Sequence, residues 1–122
     1  MWKPTNEKIL ESIMQYQNRK GKTILVYRND ENIKIQGCIA YKIDNEEIEV
    51  TNIGVDDINE RKKGIVKKLI EEIIKRENEK WIILETDKNG KGFYKKIDFK
   101  IKSMGFKYKN IKRFRCIMEI NN

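Results

Sequence analysis

Residues 46–86 constrain the topology of this chain more than any other part of it. From Glu46 to Val55 apolar and polar residues alternate with a period near two, as on a strand with one buried face. From about Gly64 to Glu77, Val66, Leu69, Ile70, Ile73 and Ile74 recur along one face of a helix. Residues 81–86, WIILET, are then almost continuously apolar, the pattern of a strand covered on both faces. Strand, helix and buried strand form a crossover. It predicts that strands 47–55 and 81–86 lie parallel in one sheet.

The alternation within the first of these strands slips. Ile48 and Val50 keep one phase, whereas Ile53 and Val55 keep the other. Side chains on a strand alternate faces strictly, so a β-bulge at Thr51–Asn52 is predicted, a device that often re-aims side chains beside active sites. The strand then runs through a short polar loop into a basic, glycine-containing turn that opens the helix. Unpaired N–H groups and the helix dipole make such a turn a natural phosphate site. Arg61, Lys62 and Lys63 flank Gly64, and Lys67 and Lys68 follow, a cradle suited to a pyrophosphate. A lysine-rich start to an ordinary helix reads equally well from these residues alone.

The rest of the chain supplies an antiparallel frame. A helical pattern is expected after Pro4 and Thr5, with Ile9, Leu10, Ile13, Met14 and Tyr16 largely on one face, ending at Asn18–Lys22. Strands are expected at 23–28 and 34–43, separated by a turn at 29–32. With strand 46–55 they make a three-stranded meander. Asp87–Gly90 reads as a loop, residues 91–97 as a short helix, and 99–109 and 113–120 as closing strands.

Composition narrows the function. The 122 residues, 39% of them hydrophobic, suffice for one domain over 1–122 with one core. No apolar run is long enough to cross a membrane, and the first residues, MWKPTNEKILES, lack the apolar stretch of a signal peptide, so a cytoplasmic protein is expected. Cys38 and Cys116 sit in strand patterns without CxxC spacing, and the chain has no histidine. Two reduced, mostly buried thiols are expected, with no metal site. Without histidine, Ser-His and Cys-His catalysis are excluded. The formal charge is +8, and between Lys88 and Arg115 the one acidic residue is Asp98. Such a surface attracts nucleic acid, acidic proteins or a phosphorylated cofactor, and it also reads as a solvated face.

Two segments now carry a resemblance. In IGVDDINERKKGIVKKL, Arg61 and Gly64 match the pyrophosphate motif of the GNAT acetyltransferase superfamily, with Lys62 and Val66 standing where small residues are usual. In ETDKNGKGFYKKIDF, Phe93, Tyr94 and Phe99 match its second signature, with Asp98 in place of a glycine. The element order over roughly 23–120 resembles the same family. The implied fold is α/β (α+β), GNAT-like: a mixed, mostly antiparallel sheet with a central parallel strand pair and flanking helices, shortened at its N-terminus.

The resemblance implies an acetyl-CoA-dependent N-acetyltransferase, with acetyl-CoA as cosubstrate and an amine as acceptor. Backbone groups of Ile53 and Val55 would pair with the pantetheine arm, in a gap where strands 47–55 and 81–86 splay. The N–H groups of Lys62, Lys63, Gly64, Ile65 and Val66 would hold the pyrophosphate, aided by Arg61 and Lys63. Asn89 would contact the pantetheine arm, or serve as a turn residue. Glu49 is the candidate base, acting through water with its pKa raised by partial burial, and Glu47 on the same face is the fallback. Glu49 reads alternatively as a cross-strand partner for a lysine. Tyr94 is the candidate acid for the leaving thiolate, or a core aromatic beside Phe93. Trp81 is expected to pack and has no assigned role. A homodimer is compatible with the family. Two other functions stay open: a GNAT-fold CoA-binding or interaction module without catalysis, and a small basic nucleic-acid-binding protein using Phe93, Tyr94, Phe99, Phe106, Tyr108 and Phe114.

Overall fold

A computed structural model of the chain describes residues 12–29, 34–55, 61–106 and 111–120. In order they form β1 (Ser12–Gln17), β2 (Thr23–Asn29), β3 (Lys34–Asp44), β4 (Glu47–Val55), α1 (Arg61–Arg76), β5 (Trp81–Thr86), α2 (Lys91–Lys96), β6 (Lys100–Phe106) and β7 (Lys112–Glu119). The strands make one sheet in the order β1-β2-β3-β4-β5-β7-β6. Every neighbouring pair is antiparallel except β4–β5, which is parallel as the crossover predicts.

Residues 12–17 correct the sequence reading. The helical pattern drawn through Ile13, Met14 and Tyr16 is a strand there, paired with β2 from Ser12↔Arg28 to Gln17↔Thr23. The expected cap at Thr5 and the start of that helix lie outside the described residues. Alternation explains the outcome: Ile13 packs on the core, whereas Met14 and Tyr16 point outward, 40% and 50% exposed. Asn18 makes the hairpin. Its side-chain oxygen accepts from the Lys20 and Lys22 N–H groups, both at 2.9 Å, and Gly21 takes a positive φ of 81°. The meander therefore has four strands rather than three, and a strand precedes the expected three where none was foreseen.

Both helices pack on one face of the sheet. Leu25, Ile39, Tyr41 and Ile48 from the strands meet Leu69 and Ile73 of α1, with Ile82 and Cys116 continuing the core toward α2. Each such fully buried aliphatic side chain contributes roughly 1.5–3 kcal/mol. Gly37 lets α1 approach β3, since a Cβ there would come within 2.7 Å of Ile65 Cγ2. At the far end of α1, the Tyr41 hydroxyl donates to Glu77 Oε2 at 2.7 Å. Burial and that carboxylate push the Tyr41 phenol well above its ordinary pKa. Cys38 is half-buried and Cys116 buried, both as free thiols. Burial raises the Cys116 thiol to about 11.

The predicted bulge is present. Ala40 pairs with Asn52 and Tyr41 with Val50, so Thr51 is the extra residue. Its hydroxyl donates back to the Ala40 carbonyl at 3.3 Å. The slip returns Ile53 and Val55 to the core-facing side already occupied by Ile48 and Val50. Helix α1 begins at Arg61, one turn before the expected Gly64.

Candidate functional site

The parallel ladder between β4 and β5 is short. It holds Glu47↔Trp81, Ile48↔Ile82 and Glu49↔Ile83, and then stops, although β4 continues to Val55 and β5 to Thr86. The bulge at Thr51 follows immediately. Beyond it β4 stays paired to β3 from Ala40↔Asn52 to Gly37↔Val55, so its other edge faces a gap. In a paired strand every second residue directs its N–H and C=O toward the open side, which leaves a row of unused hydrogen-bonding groups there.

On the helix side this gap is a cleft of about 700 Å³, lined by Ile53–Val55, Val66, Thr86, Asp87, Asn89, Gly90, Phe93 and Tyr94. The loop after β5 is tied by Asp87, whose Oδ1 accepts from the N–H groups of Asn89 and Gly90 at 2.9 and 3.0 Å. Gly90 is required by packing, because a Cβ would overlap the Thr86 hydroxyl. Tyr94 is buried against Phe93 and Phe99 in edge-on aromatic contacts, with ring centroids 5.1 and 5.6 Å away. Burial, with smaller contributions from Cys116 and Asp87, pushes its phenol up to about 12, and among the described residues no hydrogen bond engages its hydroxyl. Tyr94 thus stays a neutral donor at the cleft wall.

The sequence-predicted residues fall in three places. Ile53, Val55, Val66, Asn89 and Tyr94 share the helix-side cleft. Arg61, Lys62, Lys63, Gly64 and Ile65 belong to the first turns of α1, next to Val66. Within α1 the Ile65 and Val66 N–H groups fall in the i→i−4 ladder, facing the carbonyls of Arg61 and Lys62, whereas those of Lys62, Lys63 and Gly64 belong to the first turn. Val66 points into the core, and Gly64 is exposed with open space where a Cβ would stand. Glu49 and Glu47 lie on the opposite face. The expected partial burial of Glu49 is not found: its side chain is 54% exposed and pairs with Lys42 Nζ at 3.5 Å, directly across the β3–β4 ladder. Here the alternation of β4 prevails, because Ile48 and Val50 take the core side.

That opposite face carries a second cleft of about 320 Å³, lined by Glu49, Val50, Thr51, Ile83, Leu84, Glu85, Arg113 and Arg115. Sequence reasoning missed Glu85, Arg113 and Arg115. The alternation Arg113-Phe114-Arg115-Cys116 does place both arginines on one face, but only the pairing of β7 with β5 brings them to the gap. Among the described residues no group of three or more Cys, Asp or Glu is arranged to hold a metal. The aromatics offered for nucleic-acid stacking are mostly consumed by packing: Tyr94, Phe99 and Phe114 are buried and Phe93 half-buried, while Phe106 is 72% exposed. Tyr108 lies outside the described residues.

Asp98 explains its own departure from the pattern. It follows α2 with a φ of 77°, the left-handed conformation that favours glycine. Its N–H donates to the Lys95 carbonyl and the Phe99 N–H to that of Tyr94.

Comparison with known proteins gives one family. The model of the "Acetyltransferase (GNAT) domain" matches residues 20–101. No curated protein sequence matches. Solved structures superpose well at low identity. A putative acetyltransferase of the GNAT family from Desulfovibrio desulfuricans gives a TM-score of 0.68 at 14% identity, over 83% of this chain and 70% of that one. Mutant forms of the spermidine/spermine N-acetyltransferase SpeG from Vibrio cholerae give 0.66 at 10%, over 84% and 66%. Ard1 from Thermoplasma volcanium gives 0.68 at 18%, over 81% and 71%. At these identities the likeness is one of fold, and the chain spans about two thirds of the length of each. No helix among the described residues is long and apolar enough to cross a membrane.

Proposed function

The chain belongs to the GNAT acetyltransferase family, and from that membership we propose that it transfers the acetyl group of acetyl-CoA to an amine. The observation that carries this reading is the interrupted β4–β5 ladder. It leaves an unpaired strand edge at Ile53–Val55 beside a cleft that Tyr94 helps to line. The pantetheine arm is an extended amide chain, and it fits such an edge as an added strand would.

Each residue then has a task. Alternate backbone groups at Ile53 and Val55 align the arm, and an N–H on that edge steadies the negative charge that develops on the thioester oxygen. The start of α1, from Arg61 and Lys62 through Lys63 and Gly64 toward Ile65 and Val66, receives the pyrophosphate by helix dipole, free N–H groups and side-chain charge. Asn89 borders the arm from the loop after β5. The amine nitrogen attacks the carbonyl carbon from the opposite face, and the carbon–sulfur bond breaks. Tyr94 gives its proton to the departing sulfur. Glu49, with Glu47 as the second candidate, accepts the amine proton through water. Net, an amine and a thioester become an amide and a thiol.

Calorimetry with acetyl-CoA tests the reading, beside an Arg61→Ala/Lys63→Ala variant. Micromolar binding that disappears in the variant is expected, with thiol release once an amine is added. No heat at millimolar acetyl-CoA in the wild type would overturn it.

A further inference from the structure

The second cleft has a chemistry of its own. Its floor is the same seam between β4 and β5, but its walls are charged: Glu49 and Glu85, Arg113 and Arg115. Three of the four are already engaged. Glu49 is paired with Lys42, and Arg113 Nε lies 3.7 Å from Glu85 Oε1. Arg115 is exposed at the cleft and makes no ion pair or hydrogen bond among the described residues. It stands directly across the ladder from Glu85, yet the carboxylate is turned to Arg113. Its neighbour in the other direction, Lys102 on β6, adds positive charge rather than a partner. The uncommitted group of this cleft is therefore a planar guanidinium, whose fork of donors matches an oxyanion bidentately.

We propose that this cleft takes a small amine whose other end is an anion, a carboxylate or a phosphate monoester, with Arg115 holding the oxyanion and the amino group turned toward Glu49 and the seam. Volume supports a small molecule, since about 320 Å³ is at the low end for ligand sites. Charge supports a zwitterion over a polyamine, because a second cationic group would meet Arg115 with no free carboxylate beside it. The inference rests on acetyl transfer for its place in a reaction, although the binding of an anionic amine does not.

The test uses matched primary amines: β-alanine, its methyl ester, O-phosphoethanolamine, ethanolamine and spermidine. Thiol release from acetyl-CoA is followed, and amine binding is measured separately by ligand-observed NMR without acetyl-CoA. One anionic amine should exceed its uncharged counterpart in kcat/KM by about tenfold or more, the usual worth of a charged hydrogen bond. Whether β-alanine or O-phosphoethanolamine leads identifies the oxyanion. Arg115→Gln should collapse the preference, Arg115→Lys should restore part of it, and Arg115→Glu should turn it toward spermidine. A wild-type preference for spermidine, a preference unchanged in Arg115→Gln, or no binding of either anionic amine at millimolar concentration would overturn the proposal. Anionic amines that bind through Arg115 to a protein that ignores acetyl-CoA would leave this inference standing and remove acetyl transfer. Turnover with cationic amines alone would do the reverse.

Discussion

The two clefts lie along one seam between β4 and β5, share no lining residue, and differ in chemistry. The helix side takes half of its lining from Ile53, Val55, Val66, Phe93 and Tyr94, and it holds a tyrosine kept neutral by burial. The open side is lined by two carboxylates and two guanidinium groups. Both are built by β4 and β5, whose successive side chains point to opposite faces. One seam can therefore offer an apolar wall to one ligand and a charged wall to another. The bulge at Thr51 makes this work, since without it Ile53 and Val55 would turn to the charged side.

Deleting Thr51 attacks the contrast at its root. The chain beyond it would reverse faces, acetyl-CoA binding should fall below detection in calorimetry, and stability should drop by about 2–3 kcal/mol as two half-buried apolar side chains lose their packing. Tyr94→Phe probes the helix side alone. A fall in kcat on the order of 10²-fold is expected, with KM for acetyl-CoA little changed. Because the folded phenol titrates near 12 rather than 10, the donor is retained as pH rises through 10, and wild-type kcat should show no alkaline loss up to that point. An alkaline limb near 9, absent in Tyr94→Phe, would assign the phenol a lower pKa than burial gives it.

Glu49 sharpens the open side. If its carboxylate only pairs with Lys42, then Glu49→Gln and Lys42→Met should behave alike and cost little, as exposed pairs do. The expected result is unequal: Glu49→Gln should slow kcat roughly tenfold to a hundredfold, and Lys42→Met much less. Equal small effects in steady-state kinetics would return the residue to a surface role and move the search to Glu47. The smallest expected effect concerns the turn that seats α2. Asp98→Gly should raise stability by about 0.5–1 kcal/mol in denaturant melts by relieving the left-handed backbone, without altering either cleft.

Much of this architecture is legible in the chain because local pattern and global fold agree there. The crossover, the slip at Thr51 and the buried run 81–86 each depend on periodicity within one element. The reading failed where a pattern straddled two states. Ile9, Leu10 and Ile13 suggest a helix, but ladder pairing with β2 outweighs that spacing once Ser12 is reached. It also failed where chemistry arises from strands remote in sequence. Arg113 and Arg115 look like ordinary polar positions on a strand. Their meaning comes from β7 lying between β5 and β6, which is a property of the sheet order rather than of residues 112–119. Glu49 shows a third case, in which the position is readable and the environment is not.

The short ladder has a mechanical consequence. Three residue pairs in register join a four-stranded half, β1 to β4, to a three-stranded half, β5 to β6, with α1 as the covalent strap between them. Such a joint is narrow within the sheet, and the core under α1 spans it. A ligand strand laid in the gap would bridge both halves over the length where they part, and would stiffen the sheet as a splint stiffens a jointed limb. Occupancy should then be felt along the ladder that borders the gap, as slower amide exchange at Glu47–Glu49 and Trp81–Ile83.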